Sequence, residues 1–218
     1  MAERATVGSQ VSDIQNSYGP PLVLKRSPAY SECLFGAHEK QLLHCSECPL
    51  LLLSMEFAKH IYTHRLCLRP IKKKDFVFFF RLLGNSHVRQ YLGGGVGWRK
   101  RLSRFKCYLA TPSHVGVWVV CIANDKQPIG LVELGPHKDG KNYEVSYQFD
   151  PNFWRRGYAS EAVGAAVEHA LDGHGLDRII AETQSANVAS CSLLRKRGMI
   201  EIARVQRFGA EQIIFGTD

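Results

Sequence analysis

The chain has 218 residues and a hydrophobic content of 45%, which suffices for one well-buried domain with an appended segment. It contains no run of eighteen apolar residues, so the sequence predicts no membrane-spanning helix, and its seven irregularly spaced cysteines argue against a disulfide framework and for a cytoplasmic location. The formal net charge is +8, and residues 65–106 hold twelve Lys and Arg side chains against a single acidic residue, so the charge is concentrated in one early region.

Residues 1–54 are predicted to form a poorly ordered extension, because Ser, Gly, Pro and Gln are scattered there without helical or strand periodicity. Three cysteines and two histidines of this segment could suggest zinc: Cys33, His38, His44, Cys45 and Cys48. A structural zinc site normally uses two short-spaced pairs of ligands, and only one CxxC pair is present, so we predict no metal. The folded domain is predicted to span 55–218.

The first half of this domain is predicted to begin with a strand and to continue through helices to a hairpin. The predicted elements are a strand at 62–69, helices at 75–83, 86–92 and 98–110, and hairpin strands at 115–123 and 127–134. Pro70 ends the first strand, and Asp75 can cap the first helix. The glycine cluster at 93–95 follows no strand, so we interpret it as a hinge or lid rather than a phosphate-binding loop.

The centre of the domain is predicted to be a strand, a loop and a long helix. Apolar and polar residues alternate over Tyr143–Phe149, which indicates a half-buried strand, and an apolar stripe with helical spacing follows from 159 to 171. The loop between them contains Arg155, Arg156 and Gly157. A short basic loop before a helix leaves backbone N–H groups unpaired, and together with the helix dipole these groups bind phosphate. Glycine permits close approach of the backbone to that phosphate, and the arginines can reach its oxygens.

The last part of the chain supplies another strand, a helix and two final strands. The long helix is predicted to end near 173–175, and a strand at 178–183 should then lie parallel to Tyr143–Phe149 through a right-handed crossover. Asn187 starts a helix that reaches 197, and strands follow at 200–207 and 212–216. The order predicts an α/β fold, a mixed sheet with helices on both faces.

Two segments carry a resemblance to a known family. Residues 154–159 resemble the pyrophosphate-binding signature [QR]xxGx[GA] of the GNAT acyltransferases, although Trp154 departs from it at the first position. The wider pattern WxxGYAxEA is similar to the RimJ/RimL-like branch, which contains the ribosomal-protein N-terminal acetyltransferases. Residues 187–199 resemble the family segment NxxSxxxxxKxGF, with Met199 where Phe is common. The resemblance covers about 55–218, and it implies the GNAT fold with a mostly antiparallel, twisted sheet.

The resemblance implies that acetyl-CoA is the acetyl donor and that no metal takes part. Its pyrophosphate is expected over the loop and helix start formed by Arg155, Arg156, Gly157, Tyr158 and Ala159. In this family the two parallel strands beside the central helix splay apart, and the pantetheine arm adds to the exposed strand edge. Asn187, Ser190 and Leu194 lie on one face of the last helix and should border the thioester.

Glu144 is the best candidate for the general base, because it lies on the polar face of its strand and matches the Glu of the AEIGYW strand in RimL-like enzymes. Glu133, His137 and Tyr147 are weaker candidates. Many GNAT enzymes have a Tyr that acts as the general acid at the position where this chain has Leu194. The RimJ/RimL-like branch often uses a Ser in that role one turn earlier, which is Ser190 here. The alternatives are that Asn187 is only an N-cap, that Ser190 is only a small packing residue and that Glu144 is only a solvated carboxylate.

These residues predict an enzyme that transfers an acetyl group from acetyl-CoA to a primary amine, either a protein N-terminus or a small molecule, by direct attack. One alternative is a non-catalytic acyl-CoA-binding or regulatory module on the same fold. Another is a basic protein that associates with nucleic acid or the ribosome. The basic region predicts an acidic or ribosome-facing acceptor, although a solvated basic face fits it equally well, and either a monomer or a homodimer is compatible with the sequence.

Overall fold

The computed structural model describes residue 57 and residues 59–218, so the zinc candidates and the predicted extension at 1–54 lie outside the described residues. The strands are β1 (Ile61–Tyr62), β2 (Leu66–Pro70), β3 (Gly116–Ile122), β4 (Pro128–Pro136), β5 (Tyr143–Phe149), β6 (Ile179–Gln184), β7 (Ile200–Arg207) and β8 (Ala210–Gly216). The helices are α1 (Phe76–Gly84), α2 (Trp98–Leu109), α3 (Tyr158–His174) and α4 (Val188–Lys196), and short 3-10 turns precede α1 and α3 at Lys73–Asp75 and Pro151–Phe153.

The described strands form one eight-stranded sheet in the order β1-β2-β3-β4-β5-β6-β8-β7. Every neighbouring pair is antiparallel except β5 and β6, which are parallel. The long helix α3 connects these two strands, and the parallel orientation predicted from the crossover is confirmed.

Two hydrophobic cores cover the two faces of the sheet, because alternate residues of each strand point to opposite sides. Helices α3 and α4 bury Trp118 and Val145 on one face. Helices α1 and α2 bury Phe79 and Leu131 on the other. The prediction of a mixed sheet with helices on both faces is confirmed, and a fully buried aromatic or aliphatic side chain in such a core contributes about 1.5–3 kcal/mol.

The predicted first strand is divided into β1 and β2, which was not expected. The Thr63 hydroxyl accepts a hydrogen bond from the Leu66 N–H at 2.9 Å, and the Thr63 N–H donates to the Leu66 carbonyl at the same distance. These bonds close a tight turn, so β1 folds back against β2. The alternation over 62–69 therefore came from two short strands rather than one.

The predicted helix at 86–92 is wrong, since this segment consists of turns. The guanidinium of Arg89 donates to the carbonyls of Leu92 and Gly94 at 2.6 and 2.8 Å. Gly93 and Gly94 have φ angles of 78° and 81°, in the left-handed region that only glycine adopts readily. The chain therefore turns around a buried arginine instead of continuing as a helix.

Among the described residues, the core includes one that precedes the first predicted strand. Phe57 is fully buried, and its ring lies 4.2 Å from that of His174 and 6.4 Å from that of Trp118. Its N–H donates to the Ser113 carbonyl at 3.0 Å, and the Trp118 indole donates to the Lys59 carbonyl at 2.9 Å. This residue closes the end of the core beneath α3.

Candidate active site

The loop before α3 presents a row of unpaired backbone donors. The N–H groups of residues 155–159 have no hydrogen-bond partner among the described residues, and the first N–H bonded back to the loop is that of Glu161, which donates to the Gly157 carbonyl at 3.0 Å. Arg155 and Gly157 are both left-handed, with φ angles of 60° and 78°. Such a loop at a helix start forms a concave site for an anion, and it fits a pyrophosphate.

An ion pair that the sequence did not suggest braces this loop. Arg65, in the β1–β2 turn, donates from Nε to Glu161 Oε2 at 2.7 Å and from NH1 to the Arg156 carbonyl at 3.1 Å. Its guanidinium also lies 4.8 Å from the centre of the Tyr158 ring. Thr63 donates to the other oxygen of Glu161 at 2.6 Å. Although partial burial opposes it, these hydrogen bonds lower the pKa of Glu161, so the first turn of α3 carries a stable carboxylate.

Trp154, which departs from the family signature, has a structural role at the base of the loop. Its indole N–H donates to the Phe149 carbonyl at 2.8 Å, although the side chain remains exposed. This bond fixes the end of β5 against the start of the loop. The departure therefore leaves the backbone course of the loop intact.

The two parallel strands diverge beside this loop. Strands β5 and β6 pair only at Tyr143 with Ile179 and at Glu144 with Ile180, although they contain seven and six residues. The other edge of β5 is paired with β4 along its whole length. The remaining edge of β5 faces the gap between the strands, where an extended ligand can add hydrogen bonds to it.

Glu144 lies at the vertex of this gap, in the last residue pair before the strands separate. Burial raises the pKa of its carboxyl group to about 7, and the charges of Glu182 and Glu133 act in the same direction. His137 and the backbone N–H of Glu182 oppose this rise. A carboxyl group with a pKa near neutral pH is partly deprotonated there and holds a captured proton more firmly than an ordinary glutamate.

The weaker base candidates are occupied by other partners. Glu133 is buried and accepts a hydrogen bond from the Tyr108 hydroxyl. His137 contacts Asp139 through Nδ1 at 3.1 Å and Glu182 through Nε2 at 3.4 Å. Burial alone would lower the pKa of His137, but the hydrogen bonds to Glu182 and Asp139 and the charge of Glu144 raise it, and both ring nitrogens already have partners.

Ser190 and Tyr147 meet across the same gap. The Tyr147 hydroxyl lies 2.7 Å from Ser190 Oγ, and burial raises the pKa of Tyr147 to about 12. Tyr147 therefore keeps its proton at neutral pH and is unsuited to act as a base. Leu194 is fully buried in the core, and Asn187 is an N-cap whose side-chain oxygen accepts from the Ser190 N–H at 3.2 Å.

The face of the sheet that is covered by α1 and α2 contributes a buried polar contact to β5. Arg89 is 7% exposed, and it reaches Gln148 Oε1 from NH1 at 3.3 Å while its other nitrogens hold the glycine turn at 93–94. Arg89 thus connects the glycine cluster, through hydrogen bonds, to the strand that carries Glu144. Its predicted role as a lid or hinge is not tested by this contact, but its location beside β5 on the face of α1 and α2 is now established.

In the part of the chain that the structure describes, no group of three or more His, Cys, Asp or Glu side chains is arranged to hold a metal ion. None of the described helices is both long and apolar enough to cross a bilayer.

Comparison with known proteins identifies the same architecture elsewhere. The family model described as acetyltransferase (GNAT) domain matches residues 65–200. The N-acetyltransferase YnaD of Bacillus subtilis is 29% identical over 140 residues, which make up 64% of this chain and 82% of that protein. Ribosomal-protein-S5-alanine acetyltransferase from Vibrio fischeri superimposes with a TM-score of 0.63 at 16% identity, covering 73% of this chain and 96% of its own. Spermidine N-acetyltransferase from Vibrio cholerae, solved with CoA and spermine, gives a TM-score of 0.60 at 21% identity, covering 71% and 94%.

Proposed function

The chain belongs to the GNAT acetyltransferase family and is an acetyl-CoA-dependent N-acetyltransferase, and from that premise we propose that Glu144 is the general base that prepares a primary amine for direct attack on the thioester. The observation that carries this proposal is the place of Glu144 at the vertex of the β5–β6 gap, together with a pKa of about 7. An amine acceptor is mostly an ammonium ion at neutral pH, so its proton must be removed before its nitrogen can attack.

In the proposed reaction, Glu144 takes one proton from the acceptor ammonium, directly or through a water molecule. The amine nitrogen then forms a bond to the acetyl carbonyl carbon while the carbon–sulfur bond breaks. The departing thiolate receives a proton, a second proton of the nitrogen passes to solvent, and the third remains on the nitrogen of the amide product. Glu144 returns its proton to solvent before the next turnover, which its pKa near 7 allows.

We propose that Ser190 and Tyr147 act together at the departing sulfur. Their hydroxyl groups are 2.7 Å apart, so Tyr147 can supply a proton through Ser190 or replenish it. The raised pKa keeps Tyr147 protonated at every physiological pH. Since Leu194 has no ionisable proton, this pair would take the role of the tyrosine that many members of the family have on the last helix.

The proposed cofactor contacts are those predicted from the signature. The backbone N–H groups at 155–159 would hold the pyrophosphate, with Arg155 and Arg156 exposed beside them and without an ion pair among the described residues. Asn187 has its side-chain oxygen committed to the helix cap, so its contribution to the cofactor site would come from the amide NH₂ group.

For the acceptor, we propose a primary amine, either the α-amine of a protein or a small-molecule amine, in a cytoplasmic enzyme of the RimJ/RimL-like branch. Solved relatives are named for both acceptor types, a ribosomal protein and spermidine. The carboxyl group of Glu144 lies at the start of the gap between β5 and β6 and, when ionised, favours an ammonium group. The basic region at 65–106 favours an acceptor carried by an acidic partner.

The test is consumption of acetyl-CoA against a panel of amines, made with the full chain and with Glu144→Gln. We expect turnover with at least one α-amine or polyamine, and a loss in kcat/KM of about 100-fold or more at pH 7 for the variant. The loss should shrink as the pH rises toward the pKa of the amine, because free amine needs no base. Glu168→Gln is the matched control, since Glu168 is exposed on α3 and far along the helix from the loop.

A ratio of wild-type to variant rates that stays flat between pH 7 and 9.5 would remove Glu144 from the mechanism, whatever the size of the loss. Tight binding of acetyl-CoA without turnover on any amine would favour the alternative of a non-catalytic binding module.

A further inference from the structure

The basic region at 65–106 separates into two groups of side chains in the structure. One group has internal partners: Arg69 pairs with the buried Asp75 at 2.6 Å, and Arg101 donates to the Phe80 carbonyl at 2.7 Å. Arg65 and Arg89 are occupied at the loop and at β5, as described above. These arginines hold the domain together and are not available to a partner.

The second group consists of six cations on α2 and on the segment before α1, and we call it the basic surface. It consists of exposed side chains with no ion pair among the described residues: Lys72, Lys73, Lys74, Arg99, Lys100 and Lys106. The single acidic residue of the region, Asp75, is buried and neutralised by Arg69. The basic surface therefore presents six positive charges without a carboxylate between them.

These six residues share one side of the molecule because α1 and α2 pack against each other. The ring of Phe76, at the start of α1, lies 5.2 Å from that of Phe105 of α2, so the segment before α1 approaches the part of α2 that carries Lys106. Arg99 and Lys106 are separated by seven residues of helix, or about 10 Å. Trp98 is 60% exposed at the other end, with the Arg99 guanidinium 5.3 Å from its ring centre.

The positions of these cations work against the stability of the helices. Neither α1 nor α2 has an acidic residue in its first turn. Lys72, Lys73 and Lys74 precede α1, while Arg99 and Lys100 occupy the first turn of α2. Positive charge at a helix N-terminus is unfavourable, whereas an anion bound there is stabilised. The start of α1 has Asp75 as its N-cap, whereas the start of α2 carries two cations and no acid, so an external anion would be stabilised at α2.

We propose that the basic surface binds the phosphate backbone of a nucleic acid. Lysine is depleted in protein–protein interfaces, whose centres are apolar, whereas contacts to nucleic acids are made chiefly by Lys and Arg to phosphate. Five of the six residues are lysines, and the exposed Trp98 offers a stacking face for an unpaired base. Binding through phosphates needs no base-specific motif, and it would hold the enzyme beside acceptors that are themselves bound to nucleic acid.

The experiment measures fluorescence anisotropy of labelled 20-nucleotide probes with the full chain: single-stranded RNA, double-stranded RNA and double-stranded DNA. We expect saturable binding that weakens at least about 100-fold between 50 and 200 mM salt, because counterions are released when several phosphates are neutralised. The order of the three probes distinguishes RNA from DNA as the source of the phosphates.

The test variant is the triple change Lys72→Gln, Lys73→Gln, Lys74→Gln. We expect the slope of log K against log salt to fall by about one for each lysine removed. The matched control removes three exposed charges elsewhere on the domain by Lys126→Gln, Lys141→Gln, Arg178→Gln. Acetylation of a small amine should be unchanged in both variants, so failure here leaves the catalytic proposal untouched.

Three outcomes would overturn the proposal. One is the absence of saturable binding to any of the probes at 50 mM salt. Another is an equal loss in the control variant, which would assign the attraction to net charge alone. The third is binding of poly-glutamate or anionic vesicles without binding of nucleic acid.

Discussion

The two faces of the sheet are built in different ways. On the face of α3 and α4, the residues expected to hold the cofactor are consecutive, and the donors are backbone N–H groups of the loop at 155–159. On the face of α1 and α2, polar side chains arrive from separate segments: Arg89 from a turn, Tyr108 from α2, Glu133 from β4 and Gln148 from β5. A site made of backbone donors depends on local conformation, whereas the polar cluster on the face of α1 and α2 depends on side chains that only the fold brings together.

The first test of this difference is Gly157→Asp, for which we expect the largest change in affinity for CoA. A carboxylate at this position would repel the pyrophosphate, so we expect the Kd for CoA to rise by at least about 100-fold, or about 2.7 kcal/mol, with the fold retained. Calorimetric titration with CoA and a thermal melt measure both. Arg155→Ala should have a smaller effect, because it removes one charge and leaves the N–H groups in place.

Gly157→Asn is the matched control, since Asn and Asp have the same shape and both tolerate the φ angle of 78° found here. We expect the Asn variant to lose no more than about tenfold in affinity. Unchanged affinity in the Asp variant would refute the assignment of this loop to the pyrophosphate.

A second test concerns the core beneath α3. Phe57 is fully buried, and truncation of a buried Phe typically costs about 3–5 kcal/mol, so we expect Phe57→Ala to lower the free energy of unfolding by that amount. Urea denaturation measures it, and Phe208→Ala, at a side chain 75% exposed, should stay within about 0.5 kcal/mol of wild type. A change for Phe57→Ala as small as that of the control would place the start of the stable domain at β1 instead.

Phe57 also illustrates what the sequence could not predict. The central strand, the loop and α3 were predicted closely because their signals are local: alternation over Tyr143–Phe149, the glycine that starts α3, and Gly175, whose left-handed conformation ends it. Phe57 lies in a segment without periodicity, and its burial depends on rings that follow it by about 60 and 120 residues. No pattern within a short window could reveal that contact.

The same reason explains the errors on the other face. The helix predicted at 86–92 does not form. The side chain of Arg89 is buried instead and donates a hydrogen bond to Gln148, which lies 59 residues further along the chain. The basic region looked uniform in sequence, although Arg69 is internal and Lys72 is exposed. Glu144 was selected from its place on the strand, but its pKa depends on burial and on Glu182 from a neighbouring strand. The limits 1–54 and 55–218 and the cytoplasmic location remain predictions.

A third test uses Arg65, which belongs to the basic region by sequence but to the cofactor side by its contacts. We expect Arg65→Ala to raise the Kd for CoA about tenfold and to leave the KM of the acceptor unchanged, because the loop loses its bonds to Glu161 and to the Arg156 carbonyl. Arg65→Lys should not restore binding, since an ammonium cannot reproduce the forked geometry. Arg178→Ala, at an exposed residue, is the control.

A double-mutant cycle with Glu161→Gln distinguishes an indirect role of Arg65, through its ion pair with Glu161, from a direct contact between Arg65 and the phosphate. A coupling energy of about 0.5–3 kcal/mol between the two positions is expected if Arg65 acts through Glu161. Additive losses would mean that Arg65 contacts the cofactor independently of this pair. A rise in the KM of the acceptor with normal CoA binding would mean that Arg65 acts on acceptor binding and not on the cofactor. That result would contradict the division of roles between the two faces.

The smallest expected effect belongs to the pair that joins β5 to α4. Ser190→Ala and Tyr147→Phe should each lower kcat by about two- to tenfold with little change in the KM of the acceptor, because a thiolate is a good leaving group and needs limited help. The double variant should lose no more than the larger single loss, since two hydroxyls 2.7 Å apart that pass on one proton act as a unit. Ser192→Ala, at an exposed serine of the same helix, should be silent. If the losses of Ser190→Ala and Tyr147→Phe multiply instead, the two hydroxyls serve separate steps. If neither variant changes kcat, solvent protonates the thiolate and the pair is a packing contact across the gap.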